Sequence, residues 1–502
     1  MGIMRTKSIE QSIRDTEEPE FQLRKALGPL DLTLFGIGVI IGTGLFVLTG
    51  EAAALYSGPA VALSYVVGGI ICALAALCYA EFASTVPVAG SAYTFSYAAL
   101  GEFVAWLIGW DLILEFTLGA ATVAKGWSGY LVSVLELIGI KLPPGLYAAT
   151  AGFSHDFVAL LVVALVTTIL VIGIRLSSQF NQVITGIKIL VTLFVIGFGI
   201  FFIKASNLTP FVPPPKQPPA AAEATLQSFV LPSLLGIDTT FGITGIFTAA
   251  ALVFFAYIGF DIVATTAEET RNPQRDVPIG ILASLAICTV FYILASIVFT
   301  GLRPYQDLAT AAPAATALEV TPFPAAQLVV SLAILIGLTV VVMILVLGQS
   351  RVAFAMSRDN LLSRWFSRVH TRFRTPHRIT NITGTVAGLL AFWLPLTALA
   401  ELVNIGTLAA FMLVSIGIII LRRTRPDLPR AFKVPGYPVV PILSALSCFL
   451  LMGFLTAGTW VRFFVWMAIG LVIYFGYSRA HSRLAREEPV GEAPGGARSS
   501  GG

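Results

Sequence analysis

The chain of 502 residues is short of charge: Asp, Glu, Lys and Arg make up 12% of it, about half the share found in soluble domains. That excludes a water-soluble globular fold. Histidine is scarcer still, and His155, His370, His377 and His481 all fall outside the long apolar runs. No helix therefore carries the paired imidazoles that a metal site needs, and no metal is expected. The four cysteines, Cys72, Cys78, Cys288 and Cys448, each lie inside an apolar run, where a thiol behaves as a small hydrophobe rather than as half of a disulfide framework. A G-x-x-x-x-G-K-[ST] motif is missing, which excludes an ATP-driven pump. Gly36, Gly38 and Gly42 lack the spacing and the preceding strand of a dinucleotide fingerprint, so no cofactor is expected. A net charge of +4 scattered over loops does not imply nucleic acid. Residues 1–30 contain no apolar stretch of the kind found in a cleaved signal peptide and are expected to remain as a cytoplasmic segment.

What is abundant is hydrophobicity, at 56% of residues with a mean hydropathy of +0.86. Apolar runs of spanning length occur at about 32–57, 60–83, 97–124, 156–176, 182–203, 246–267, 277–301, 325–350, 380–399, 401–421, 438–457 and 459–478. The reading is an all-α membrane protein with 12 transmembrane helices. Most of the 31 Lys and Arg residues fall on one side of this topology, notably at 351–378 and 422–433. By the positive-inside rule that side is cytoplasmic and holds both termini, in the cell (plasma) membrane. The Pro-rich stretch 209–227 reads as an extended extracellular linker, the run 351–378 as a solvated topogenic loop, and 481–502 as a disordered tail.

Five glycines, Gly36, Gly38, Gly42, Gly44 and Gly50, crowd the first run. In hydrocarbon every backbone N–H and C=O needs a partner, so non-helical backbone survives only where protein or a ligand cavity covers it. Gly36 and Gly38 read as close helix packing. Gly42-Thr43-Gly44 instead lowers the cost of unwinding at mid-span, which would bare N–H groups suited to a carboxylate. Transporters built from inverted repeats pair two such breaks, and an odd repeat of five spans inverts the second copy. Five spans on, the run from Thr248 to Glu269 has Gly259 at its centre and Asp261 just after it. Freed carbonyls before Gly259 would take an ammonium, so that the two breaks would hold both ends of an amino acid.

These residues sit in a longer series: GTGLFVLTG, WDLILEFTLGAATVAKGWSGYL, NQVITGIKIL, FFAYIGFD followed by EETRNPQRDVP, GQSRVAFAMSRDNLL and RAFKVPGYPVVP. In content and order the series resembles the amino acid–polyamine–organocation (APC) transporters over residues 24 to 480, and most of all bacterial permeases related to cationic amino acid transporters. The resemblance implies a leucine-transporter-type fold with a 5+5 inverted repeat, placed here at 31–204 and 246–422 around the extracellular loop 205–245. Two C-terminal helices follow at 423–480. It also implies secondary active transport of amino acids, hence no enzyme. Carried over by position, it puts the substrate carboxylate on Gly42, Thr43 and Gly44 and the ammonium on carbonyls of Ile40, Phe255 and Ile258. Ile41, Ala256 and Leu338 are neighbouring substrate-site residues, and Phe255 is the gate that closes over the substrate.

An ionisable group within the bilayer is costly and is a functional candidate by default. For Lys188, six residues into the fifth run, snorkelling to the cytoplasmic face and a functional role are both open from the residues alone. The resemblance decides between them: a lysine here is similar to proton-coupled members, in which the ammonium stands where others hold sodium. Burial makes the charged form of a lysine costly, which lets its proton leave and return during a transport cycle. Glu115, with Asp111 one turn earlier, is expected to balance Lys188, relay its proton or line the pocket, and Asp261 is a further titrating candidate. Lys125 reads as a snorkelling lysine. The apolar residues around Leu338 favour small or medium neutral substrates, whereas acids such as Glu115 keep cationic ones open. An amino acid or amine exchanger and a non-transporting sensor are the alternatives, and an accessory small membrane protein or lipid partner is left open.

Overall fold

The computed structural model describes residues 25–482 apart from 86–90, 144, 148–154, 174–177, 217–225, 238, 371–372 and 374. Nearly all of the expected cytoplasmic segment and tail, and the middle of the Pro-rich stretch, lie outside these residues. Among the described residues the chain has three isolated β-bridges and no strand. The helices that matter below are α1 (Pro29–Ile40), α2 (Val61–Thr85), α3 (Ser91–Ala99), α4 (Glu102–Leu137), α5 (Phe157–Ile172), α6 (Ser178–Gly199), α7 (Gly242–Val253), α8 (Phe260–Ala264), α9 (Pro273–Leu302), α10 (Pro324–Arg358), α11 (His377–Trp393), α12 (Leu396–Thr424), α13 (Val439–Met452) and α14 (Ala457–Ile473).

Among the described residues eight helical stretches are long and apolar enough to cross a bilayer, and α1, α5 and α13 are shorter apolar helices. This is a multi-pass membrane protein. Hydropathy locates the apolar part of each helix but not its ends. Thus α4 runs on to Leu137 and α10 to Arg358, so Arg351, expected in a loop, is helical. The first two expected runs are parted at Gly58, whose φ of +61° turns the chain against Pro213. Pro213 is itself buried and its carbonyl accepts the N–H of Gly242 at 3.0 Å. The Pro-rich stretch is therefore anchored at Pro213 and, through backbone bonds to Thr240, at Lys216, while the residues between and around these points are exposed.

The interior is formed around α4, which packs along α10, α12, α5 and α11, and around α9, which packs along α2 and α1. Large rings fill it: Trp106, Tyr65, Tyr79, Tyr130, Tyr257 and Tyr292 are fully buried. At one end of the bundle Glu81 of α2 accepts Arg422 Nε at 2.7 Å and the backbone N–H of Val434 at 2.7 Å, tying α2, α12 and the segment before α13 together. A carboxylate buried there is tolerated because guanidinium and amide donors saturate it.

Candidate substrate site between two broken helices

The first break follows directly from α1. This helix opens at Gly28 with Pro29 behind it, and the Asp31 carboxylate accepts the Gly28 N–H at 2.9 Å. It stops at Ile40, because Ile41 is extended (φ −71°, ψ 107°), and the chain resumes as a wide π-helical turn over Gly44–Leu48. The second break lies between α7 and α8. A tight turn, Phe254–Tyr257, leads to extended Ile258 (φ −64°, ψ 136°) and to Gly259 at φ +118°, a conformation that favours glycine. The breaks touch each other. A Cβ on Gly44 would lie 2.3 Å from the Cα of Ala256, and one on Gly259 would lie 2.6 Å from Cγ1 of Val39. Gly42 has open space by comparison, with only Val341 and Leu338 side chains at 3.7 and 3.9 Å.

Unwinding frees carbonyls, and each acceptor described here has a partner from another helix. Lys188 Nζ, on α6, donates to the carbonyls of Gly38 at 2.7 Å and Ile41 at 3.1 Å. Gly337 of α10 makes room for it, since a Cβ there would meet Lys188 Cε at 2.7 Å. The Tyr292 hydroxyl, on α9, lies 2.8 Å from the Ile40 carbonyl and 2.7 Å from that of Ala256, so one group spans both breaks. Tyr65 donates to the Gly44 carbonyl at 2.9 Å, and Asn404 of α12 to those of Ala251 and Leu252. Tyr292, Tyr65 and Asn404 were not singled out by sequence reasoning. A tyrosine or asparagine in an apolar run carries no local sign of which carbonyl it meets.

Beside the two breaks is a cavity of about 20 Å³. That is room for a water or two, and side chains must shift to admit an amino acid. One wall is the breaks themselves: Ile40, Gly42, Thr43, Gly44, Phe255 and Ile258, six of the expected residues. The opposite wall is apolar, made by Gly119 and Val123 of α4 and Val341 and Leu345 of α10. Thr43 Oγ1 is buried without a hydrogen-bond partner, the one hydroxyl among these lining residues. The other expected residues stand behind the wall. Ile41 holds Lys188 through its carbonyl, Ala256 is pressed on Gly44, and Leu338 lies beside Gly42. Val341 and Leu345, about one and two turns further along α10 than Leu338, reach the cavity in its place.

One turn before Gly119, Glu115 lies buried with its Oε1 unpartnered, and it interacts electrostatically with Asp261 of α8 and Asp111. Asp111 fits because a glycine faces it: a Cβ on Gly406 would lie 2.6 Å from Asp111 Oδ1. These acids and Lys188 are separate groups, and no ion pair joins Glu115 to Lys188 among the described residues. Of the three roles expected of Glu115, balancing Lys188, relaying its proton or lining the pocket, the first has no ion pair behind it; the lysine is held by backbone carbonyls. Lys125 does not snorkel either. It is buried 3.7 Å from Asp156, which also accepts the Ser128 hydroxyl at 2.9 Å and caps α5 through the Ala159 N–H. Among the described residues no group of acids, histidines or cysteines could hold a metal ion.

Two interrupted helices that touch each other and together wall a small, mostly apolar cavity fit the architecture of a membrane carrier. The model of the amino acid permease family matches residues 27–477. The chain belongs to the amino acid permease family. This permease, an APC-superfamily member, is 45% identical over 489 residues to the branched-chain amino acid permease BcaP of Bacillus subtilis (strain 168), covering 96% of this chain and 99% of that one. It is 43% identical over 465 residues to the methylthioribose transporter of the same organism, covering 92% and 95%. To the vacuolar cationic amino acid transporter 4 of Arabidopsis thaliana it is 35% identical over 429 residues, covering 85% and 68%. Members of this family are transporters rather than enzymes.

Proposed function

We propose that this permease is a proton-coupled symporter of branched-chain and other small to medium neutral amino acids, working by alternating access around its two broken helices. The observation that carries the reading is the cavity itself. Glycine backbone and the unpartnered Thr43 hydroxyl suit a carboxylate, the turn at Phe255 and Ile258 suits an ammonium, and Gly119, Val123, Val341 and Leu345 suit an apolar side chain. The similarity to BcaP agrees with that wall. Phe255 is the residue that closes over the substrate.

Coupling is assigned to Lys188. Its ammonium binds the carbonyls of Gly38 and Ile41, so a change in its protonation alters the first break directly. Glu115 and Asp261, beside the cavity but apart from the lysine, serve as additional proton carriers or as a counter-charge for a cationic side chain. The fold under this reading is the leucine-transporter type, with twelve spans, a 5+5 inverted repeat and both termini cytoplasmic in the plasma membrane.

The test is an amino acid panel on purified protein read as thermal stabilisation, since a ligand bound only by the native state raises apparent stability. Leucine, isoleucine and valine should stabilise most. Uptake into proteoliposomes should then follow an inward proton gradient; uptake that ignores pH and follows sodium refutes the coupling. A second reading, methylthioribose transport, is favoured by the nearly equal identity to that transporter and by the fit of a methylthio group to the same apolar wall. Stabilisation by methylthioribose but by no amino acid would establish it. Counterflow without net accumulation would make the permease an exchanger, and binding without either would make it a sensor.

A further inference from the structure

Asn404 lies in α12, fully buried, and does not line the cavity. Its Nδ2 donates to two carbonyls at once, Ala251 at 2.7 Å and Leu252 at 2.9 Å, while its Oδ1 has no partner. The amide orientation is the one the surroundings require, because two carbonyl oxygens ask for donors. Both carbonyls belong to the last turn of α7, which ends at Val253. In a helix that carried on, Ala251 would accept the N–H of Phe255 and Leu252 that of Ala256. Here the chain tightens over Phe254–Tyr257 instead, and an amide from another helix sits on the acceptors that continuation would use. The two residues affected are those that matter most at the second break. Phe255 lines the cavity, and Ala256 packs against Gly44 of the first break.

An orphaned buried Oδ1 lowers stability, and a leucine of similar shape would remove it. Packing alone is thus a poor account of an asparagine at this point. We propose that Asn404 is a positioning residue: its amide fixes where α7 stops, and so the placement of Phe255 over the cavity, from a helix that takes no part in binding. The inference rests on the proposed substrate site only in naming Phe255 as its wall, and its test needs no substrate.

The four native cysteines are buried, so single added thiols can be read against a quiet background. Phe255→Cys and, as a control one to two turns back on α7, Thr248→Cys are each made with and without Asn404→Leu. Labelling by a small water-soluble methanethiosulfonate is timed in reconstituted protein. Loss of the cap should change the labelling rate at position 255 roughly tenfold, the scale of losing one or two hydrogen bonds, and leave position 248 unchanged. Unchanged rates at 255, or equal changes at both positions, overturn the proposal, the second because general loosening then explains it. Should the leucine chain fail to assemble, Asn404→Ser, which keeps one donor in less volume, is read by the same criteria. A failed amino acid panel alongside a selective change at 255 would reject the substrate reading and leave the positioning role standing.

Discussion

The two breaks solve the same problem, freed carbonyls at mid-membrane, with different chemistry. The first is held by the amino group of Lys188 on Gly38 and Ile41, whereas the second is held by the amide of Asn404 on Ala251 and Leu252. Tyr292 bridges the two. An ammonium gives strong charge-assisted bonds that weaken when its proton leaves, whereas an amide does not titrate. If the proposed coupling holds, loss of the lysine's proton would loosen the first break while the second keeps its shape. Under the proposed coupling, the first break is the moving part and the second the reference against which it moves.

The largest effect that could break this comparison is removal of the cation. Lys188→Ala should lower proton-driven uptake into proteoliposomes by roughly a hundredfold, the loss of two charge-assisted bonds, while the protein still purifies as a folded monodisperse species. Uptake retained at the wild-type level would show that the first break needs no charge. Next comes contact between the breaks. Gly44→Ala drives a methyl against the Ala256 backbone, 2.3 Å away, and should abolish transport and lower the melting temperature, whereas Gly42→Ala meets only side chains at 3.7 Å and should fold normally. Similar melting temperatures for the two variants would mean that the breaks can part without cost.

Two smaller effects sharpen it. Phe254 is a core ring against Tyr257 and Phe411, while Phe255 lines the cavity. Phe254→Ala should therefore cost mainly stability, about 3–5 kcal/mol, and Phe255→Ala mainly transport, roughly tenfold in kcat/KM for an uncompensated truncation at the site. Equal transport defects would misplace the gate. Tyr292→Phe removes only a hydroxyl shared between the Ile40 and Ala256 carbonyls, and should raise KM about fivefold, the scale of one hydrogen bond, with little change in melting temperature. An unchanged KM would mean that the tyrosine packs without linking the breaks.

The positions of both breaks were legible in the sequence. Gly42, Gly44 and Gly259 stand where an apolar run can least afford flexible backbone, and Lys188 stands where a charge needs a reason. Both signals are local. What escaped was relational. Lys125 resembles a snorkelling lysine until Asp156, 31 positions later, is found at 3.7 Å. Glu115, expected to balance Lys188, relay its proton or line the pocket, is placed with Asp111 and Asp261. Leu338 was expected at the substrate site, but on α10 it is Val341 and Leu345 that line the cavity, while Leu338 lies beside Gly42.

By itself the sequence determined that the chain lives in a bilayer, which helices are cheap to unwind, and where along them, because hydropathy and the conformational freedom of glycine are properties of single residues and short runs. Only the tertiary structure decided which groups satisfy the bared carbonyls: Lys188, Tyr292, Tyr65 and Asn404 come from four other helices, at separations of 21 to 252 positions for the bonds concerned. A hydrogen bond depends on distance in space, and that distance exists only once the helices have packed.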